Sequence, residues 1–575
     1  MIDPVTLAVL KGRLEQIADE MDATLFRSAF NPIIAEAHDA SHGIYDAATG
    51  ATLVQGKSGL PIFVGAMSFA VKAVIDKAAR DGDMADGDVY LFNDPYDGGT
   101  HLSDFKLVRP FYRDGRLYCY LASVGHWHDV GGNVPGNYNP VATESFQEGM
   151  LIPPVKLFVK GALRQDIVDI VQANSRLPGS LYGDLNGQIN ALDLGVRRLN
   201  ALLDEYGDAE VGEAMTELQR RAAQLLRSYI AELPDGRYSA DDWLDNDGIV
   251  DQPLAIALDL VIDGEEMTFD FSRSAPACDG PVNISRATAV ASCYVALKHI
   301  FHDVPANAGV LEPISFVIPD GTILSVGAPK PVGGYTETIL RVIDVVFSAF
   351  AQVAPERSNA NAYGTINALS LAGHRQDGRR WVMFSFFGGG HGGHPEGDGL
   401  NHGNAPISTA TIPPVEILEA AYPVMFTQWA LRTDSGGPGR HRGGLGGRYE
   451  IELLEQDADV FLFGERGRFP PQGVVGGAAG ALNHFAYQQD DGDHEPPFAS
   501  KMVGIRLRRG QRLLLQTPGG GGYGPARARD PVEVAADVRD GYVSREAAAR
   551  DYGVVLFDDG AVDTAGTESL RKAVE

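Results

Sequence analysis

Two short stretches hold most of the side chains that chemistry needs. NDPYDGGTHLSDF, residues 93–105, places His101 and Asp104 three positions apart, and GHWHDVGG, residues 125–132, adds His126, His128 and Asp129. Between them lie two β-type runs, KLVRPFY and LYCYLASV, on either side of Asp114-Gly115, a dipeptide that favours a tight hairpin turn. A hairpin returns the chain to its starting end, so the loop before Asp104 and the strand end at His126 become neighbours. Imidazole and carboxylate donors meeting there form a nitrogen–oxygen site suited to Zn²⁺ or Mn²⁺. Two histidines and one aspartate leave coordination positions open, as a catalytic metal requires.

A further ligand can come from AEAHDASHGIYD, residues 35–46, where Asp39 is preferred and Glu36 is the alternative. His128 competes with His126, because His-x-His on a strand puts both rings on one face. A nearby carboxylate would serve as general base, and ATESFQEGMLIPP offers Glu144 and Glu148. His-x-x-Asp alone is more often a hydrogen-bonded loop pair than a metal site; the second histidine and the surrounding glycines favour the metal. GGGHGGH at 388–394 is an anion nest or second metal site on one reading, and a tight loop with solvent-facing rings on the more ordinary one. TPGGGGYGP and DSGGPGR lack the Lys-Ser/Thr ending of a phosphate loop, and no GxSxG elbow occurs. Cys119, Cys278 and Cys293 are too few and scattered for a disulfide framework, and read as core residues.

The elements that must position these groups mix helices and strands. Leu7, Leu10, Leu14, Ile17, Met21 and Leu25 recur every three or four residues, so 4–30 reads as a helix capped by Asp3. Further helices are expected near 61–79, 163–174, 188–205, 210–232, 288–302 and 337–353. Antiparallel strands are expected over 237–287, and alternating strand-like runs over 449–516. The fold class is therefore α/β, of the mixed α+β kind. We expect a large body over 1–525 with mixed and antiparallel sheets, and a short helical tail over 526–575. Glycine, 68 of 575 residues, gathers in clusters that suggest many tight loops. A formal net charge of −28 argues against nucleic acid and against attachment to a membrane surface. No stretch has the length and apolarity of a membrane span, and no secretory leader is visible, which points to the cytoplasm.

Taken together, NDPYDGGTHLSD, GHWHDVGG with NVPG, ESFQEGMLIPPVKL, LRTDSGGPGRHRGGLGG and TPGGGGYG resemble the hydantoinase B/oxoprolinase family. The opening DPVTLAVLKGRLEQIADEM and the late DPVEVAADVRDGYVSREAA fit as well, so the likeness runs over roughly residues 1–552. The resemblance implies one divalent metal, Zn or Mn, held by Asp39, His101, Asp104 and His126. It implies a hydantoinase A-type partner that uses ATP to phosphorylate the substrate, in a hetero-oligomer such as α2β2. Trp127 stands where the family's run has a second histidine, and His128 where a small residue is common, which leaves His128 as a substitute. The reaction it implies is hydrolysis of a cyclic amide (hydantoin, oxoproline or lactam), with Glu148 or His128 accepting the proton. Carboxylation of a ketone by an ATP-dependent relative is the alternative, and a scaffold with a decayed site a third reading. His101 is expected on a surface loop, its loss removing metal while sparing the fold.

Overall fold

The computed structural model describes residues 2–408 and 411–572. They form two compact units, one of residues 2–237, 260–339, 407–408 and 411–413, the other of 238–259, 340–406 and 414–572. The class is mixed α/β, with antiparallel and mixed sheets.

The first unit is built on α1 (Pro4–Ser28), the single-turn α2 (Pro32–Ala35), α3 (Pro61–Asp81), α4 (Gln165–Ala173), α5 (Pro178–Tyr206), α6 (Asp208–Ile230) and α7 (Arg286–Ile300). Its main sheet comprises β1 (Ala40–Asp46), β2 (Thr52–Gln55), β3 (Val89–Phe92), β4 (Asp104–Arg113), β5 (Arg116–His126), β6 (Val155–Val159) and β7 (Ala162–Leu163). The order is β2-β1-β5-β4-β3-β6-β7, every pair antiparallel. A smaller parallel pair joins Glu266–Asp270 to Ile314–Val317.

Local chemistry explains these elements. Asp3 caps α1 by accepting from the Val5 and Thr6 amides at 3.1 and 2.9 Å. The β4–β5 turn carries Asp114 at φ 49° and Gly115 at φ 74°, the left-handed pair that the Asp-Gly dipeptide supplies most readily. Helix α5 starts ten residues before the periodicity suggests, because Gly183, Gly187 and Gly195 interrupt the apolar pattern. Those glycines are where α5 meets α1 and the segment after it: a Cβ at Gly183 would lie 2.4 Å from the Phe30 ring, one at Gly187 2.8 Å from Leu25 Cδ1, and one at Gly195 2.5 Å from Met21 Sδ. Strand alternation sends Phe105, Leu107, Cys119, Leu121 and Trp127 into the core shared with α1 and α5. Asp104 and His126, one residue out of phase, fall on the opposite face, where α3 packs across β1, β4 and β5.

The second unit holds two antiparallel sheets. One orders Arg380–Ser385, Ala368–His374, Asp457–Phe463 and Lys501–Arg508; the other orders Val424–Leu431, Gly447–Leu453, Arg512–Gln516, His484–Gln489 and Gly492–His494. Three tail helices, Pro531–Arg539, Arg545–Tyr552 and Thr564–Lys572, carry their own apolar cluster around Val534, Val543 and Tyr552. Arg529 ties the tail to Asp398 of the same unit at 2.6 and 2.7 Å.

The glycine clusters of the second unit are not tight loops in the expected sense. Extended segments lie side by side and bond amide to carbonyl: Gly393 to Gly521 and Gly437 to Gly520 at 2.8 Å, Gly520 to Gly444 at 3.0 Å. A Cβ on Gly390 would sit 1.8 Å from the Gly444 carbonyl oxygen, and one on Gly520 1.9 Å from that of His391. Glycine is required there by backbone packed on backbone, not by a turn.

Gly390→Ala should therefore cost about 3 kcal/mol or more, whereas Gly12→Ala, exposed in α1 with nothing within 4 Å, should gain about 0.5–1 kcal/mol. Urea unfolding of both variants checks the pair; similar midpoints would refute the packing argument.

Candidate metal centre

Three segments deliver the site. Asn31 fixes the first: its Oδ1 accepts from the Ile33 amide at 2.9 Å, and its Nδ2 donates to the His126 carbonyl at 2.8 Å. His38 then takes a left-handed turn at φ 60°, its ring stacked 4.2 Å from that of Phe26. The turn swings Asp39 against β5, where its carbonyl accepts from the His126 amide at 3.1 Å. The second segment is the loop before β4, held by Asn93 Nδ2 donating to the Leu102 and Met150 carbonyls at 2.7 Å. The third is the end of β5, where His126 is the direct cross-strand partner of Asp104.

His101, Asp104 and His126 converge, with one donor atom from each lying within 4.8 Å of the others. His101 Nδ1 is 3.0 Å from Asp104 Oδ2, His126 Nδ1 is 3.5 Å from Asp104 Oδ1, and Asp39 Oδ2 is 3.9 Å from His126 Nδ1. His101, Asp104 and His126 are buried at 4, 1 and 3% side-chain exposure, and Asp39 is at 18%. The buried His101 corrects the expectation of a surface loop: the loop folds inward because Asn93 and the cross-strand pair hold both its ends.

The donor set passes a physical test for a cation. His101 Nδ1 and Asp104 Oδ1 are buried without a well-aligned hydrogen bond and face only ion-pair partners, at 3.0 and 3.5 Å. Orphaned donors of this kind are expensive unless something bridges them. Two ligands about 2.0–2.2 Å from one ion sit about 3–3.5 Å apart, which matches the closer separations. The second nitrogen of His101, Nε2, faces the Tyr138 hydroxyl at 3.4 Å, so ring orientation is set from behind. Burial raises the Asp104 carboxyl, but the two imidazoles outweigh it and hold the group well below the usual carboxylate range. Burial pushes Asp39 up to about 7, with His126 opposing and Asp104 adding.

Not every candidate joins the cluster. His126, not His128, takes part, although His128 is also buried. Glu36 is not among the converging side chains; its backbone carbonyl accepts from the Thr411 hydroxyl. Glu144 is exposed. Glu148 is buried, with Oε2 accepting from the Val332 amide at 3.0 Å and Oε1 from the Gly333 amide at 2.6 Å. No cluster member comes from GGGHGGH: among the described residues, one group of three or more such side chains has metal-ligand spacing, and it is this one. All three cysteines are buried, and none of them forms a disulfide.

Four further residues were not apparent in the sequence. Thr100 donates its hydroxyl to Asp104 Oδ2. Tyr335, which opens helix α8 (Tyr335–Val353), sets its ring 4.8 Å from that of His101, and Tyr138 sets its own 5.7 Å away. Tyr138, a large aromatic among the turn residues of NVPGNYNP, is a signal that could have been read; Tyr335 gives none. Lys106 shares the face of Asp104, its ammonium buried without a hydrogen bond and 6.0 Å from the Phe92 ring centre. Burial lowers it to about 8, against Asp104 and Asp94.

Comparison with known proteins bears on this geometry. The pattern of the hydantoinase B/oxoprolinase family matches residues 3–526. The chain belongs to that family. The β subunit of caprolactamase from Pseudomonas jessenii is 34% identical over 591 residues, covering 100% of this chain and 99% of that one. A crystal structure of the ATP-dependent caprolactamase of the same organism superposes with a TM-score of 0.88 at 32% identity, each chain covered completely. A nucleotide-free acetone carboxylase shares the fold, with a TM-score of 0.92 at 21% identity over all of this chain and 83% of its own. For this hydantoinase B/oxoprolinase member, no described helix is long and apolar enough to cross a membrane.

Glu148 supplies a pH test. Burial pushes it up to about 8, against the Val332 and Gly333 amides. A carboxyl raised in the folded state is stabilising while protonated, so its contribution fades as pH climbs from about 4.5 to about 8, at up to about 1.4 kcal/mol per pH unit. The stability of the wild type should fall over that window relative to Glu148→Gln in denaturant titrations; parallel curves would contradict it.

Proposed function

We propose that this chain is the metal-dependent hydrolytic subunit of an ATP-dependent cyclic amidase, opening a lactam, hydantoin or oxoproline ring. The observation that carries the reading is the buried convergence of His101, Asp104 and His126, with Asp39 beside them. The full-length match to the β subunit of a caprolactamase supports it. That name also supports a partner subunit, which we take to be a hydantoinase A-type ATPase. The sequence has no phosphate loop of its own, in keeping with ATP use elsewhere.

Asp39, His101, Asp104 and His126 would hold one divalent ion, Zn or Mn. When bound, such an ion supplies Lewis-acid polarisation and acidifies water near neutral pH. The protein's own groups do the rest. Two imidazoles and two carboxylates set the charge of the site near zero once a dication enters. Tyr138 and Tyr335 flank His101 and keep bulk water from it. Water attacking the activated amide carbon must lose a proton to a nearby base. Glu148 already accepts two backbone amides, so of the two sequence candidates we retain His128 as the base.

The likeness to acetone carboxylase lies at an identity that speaks for the fold, while the caprolactamase match extends to sequence. Hydrolysis is therefore preferred to ketone carboxylation.

Reconstitution with the A-type partner tests the proposal. Caprolactam, hydantoin or 5-oxoproline should be opened with ATP consumed in step and one divalent ion bound per chain. His101→Ala should lose the ion and at least about 10³-fold in kcat/KM with an unchanged circular-dichroism spectrum. Ring opening by this chain without ATP, or substrate loss that needs bicarbonate, would contradict the reading.

A further inference from the structure

Behind the metal cluster, on the α1/α5 face of the sheet, lies a second polar system that the proposed reaction does not use. Asp22 on α1, His42 on β1, Ser123 on β5, Gln188 on α5 and Trp127 are all fully buried. Asp22 Oδ1 is 2.7 Å from His42 Nδ1, and His42 Nε2 is 2.9 Å from Ser123 Oγ. Gln188 Nε2 donates to Ser123 Oγ at 3.2 Å and to the Phe105 carbonyl at 3.1 Å. Trp127 Nε1 donates to Gln188 Oε1 at 2.9 Å.

One member of this set has no choice of role. An indole N–H only donates, so the atom of Gln188 that faces Trp127 must be its carbonyl oxygen. The Gln188 amide nitrogen then points at Ser123, and its N–H is donated to Oγ. Ser123 Oγ has His42 Nε2 as its other partner, and its buried proton is satisfied by donation there. That nitrogen is therefore an acceptor, and the ring proton sits on Nδ1, donated to Asp22. Each bond fixes the next, so the tautomer of His42 follows from a tryptophan three hydrogen bonds away.

We infer that Trp127 sets the direction of a sealed hydrogen-bond chain running through Gln188, Ser123 and His42 to Asp22, and that the Trp127–Gln188 end of this chain positions the metal ligands. Its near end clamps the neighbours of two of them: Trp127 follows His126, and Phe105 follows Asp104. Their rings stack 3.8 Å apart at 4°, so Gln188 holds both by one amide. The far end is closed by Gly56, whose amide donates to the His42 carbonyl at 3.2 Å, and where a Cβ would lie 2.0 Å from Asp22 Oδ2. Ser123, His42 and Asp22 have the spacing of a nucleophilic triad. Ser123 is nonetheless a positioning residue: it has no exposure, and its oxygen already accepts an amide proton.

The effect on the ligands rests on the metal reading above; the direction of the chain does not. Long-range proton–nitrogen correlation on the full chain labelled with ¹⁵N-histidine should show His42 as the Nδ1–H tautomer, and a fluorophosphonate probe should leave Ser123 unmodified. Trp127→Phe removes one N–H and little volume. It should let the His42 tautomers mix and weaken zinc binding to the purified chain by about 10-fold or more. Ser123→Ala, which cuts the chain beyond Gln188, should mix the tautomers too, yet change zinc affinity by less than about 3-fold. An Nε2–H tautomer in the wild type, labelling of Ser123, or zinc affinity unmoved in Trp127→Phe would overturn the inference. A wild-type chain that binds neither zinc nor manganese would sink the metal reading, while the tautomer would still decide the chain's direction.

Discussion

The site depends on one cross-strand pair. Asp104 opens β4 and His126 closes β5, and the hairpin register sets them directly opposite. A slip of one residue would turn both side chains into the hydrophobic core and expose Phe105 and Trp127 in their place. That slip is opposed on both faces: by the stacked Phe105 and Trp127 rings inside, and by the convergence of imidazoles and carboxylates outside. Asp39 joins because its carbonyl takes the His126 amide, which extends the β1–β5 ladder by one bond.

Charge explains why the cluster is more than a polar patch. Two carboxylates and two imidazoles, three of them almost without solvent contact, are costly unless they neutralise one another or share a cation. Thr100 and Tyr138 hold the outer atoms of Asp104 and His101, and they leave His101 Nδ1 and Asp104 Oδ1 without hydrogen bonds. The protein thus keeps inward-facing donors unsatisfied in an interior where such groups are normally paired. A cation shared by these groups would satisfy them beyond what their ion pairs at 3.0 and 3.5 Å already do.

Much of this was legible in the sequence, for physical reasons. Asp-Gly between two β-type runs fixed the hairpin, and with it the meeting of His101, Asp104 and His126. The heptad-like spacing of Leu7 to Leu25 marked α1, and Asp3 its cap. Other features depend on contacts between distant segments and leave no local trace. Tyr335 reaches His101 from a helix more than two hundred positions away. Gln188, within a helix interrupted by glycines, shows nothing in its neighbours that announces a link to Trp127. The glycine clusters were ambiguous because a tight turn and close backbone packing ask for the same residue. Glu148 looked like a base near the cluster, but its carboxylate is spent on two amides.

The central claim is that two imidazoles and two carboxylates share one ion. X-ray absorption at the metal edge of the purified, zinc- or manganese-loaded protein tests it most directly. The account predicts a light-atom shell with two imidazole ligands and oxygen donors, at about 2.0–2.2 Å for zinc, with one imidazole lost in His101→Ala. A shell without imidazole scattering, or one unchanged by that substitution, would contradict it.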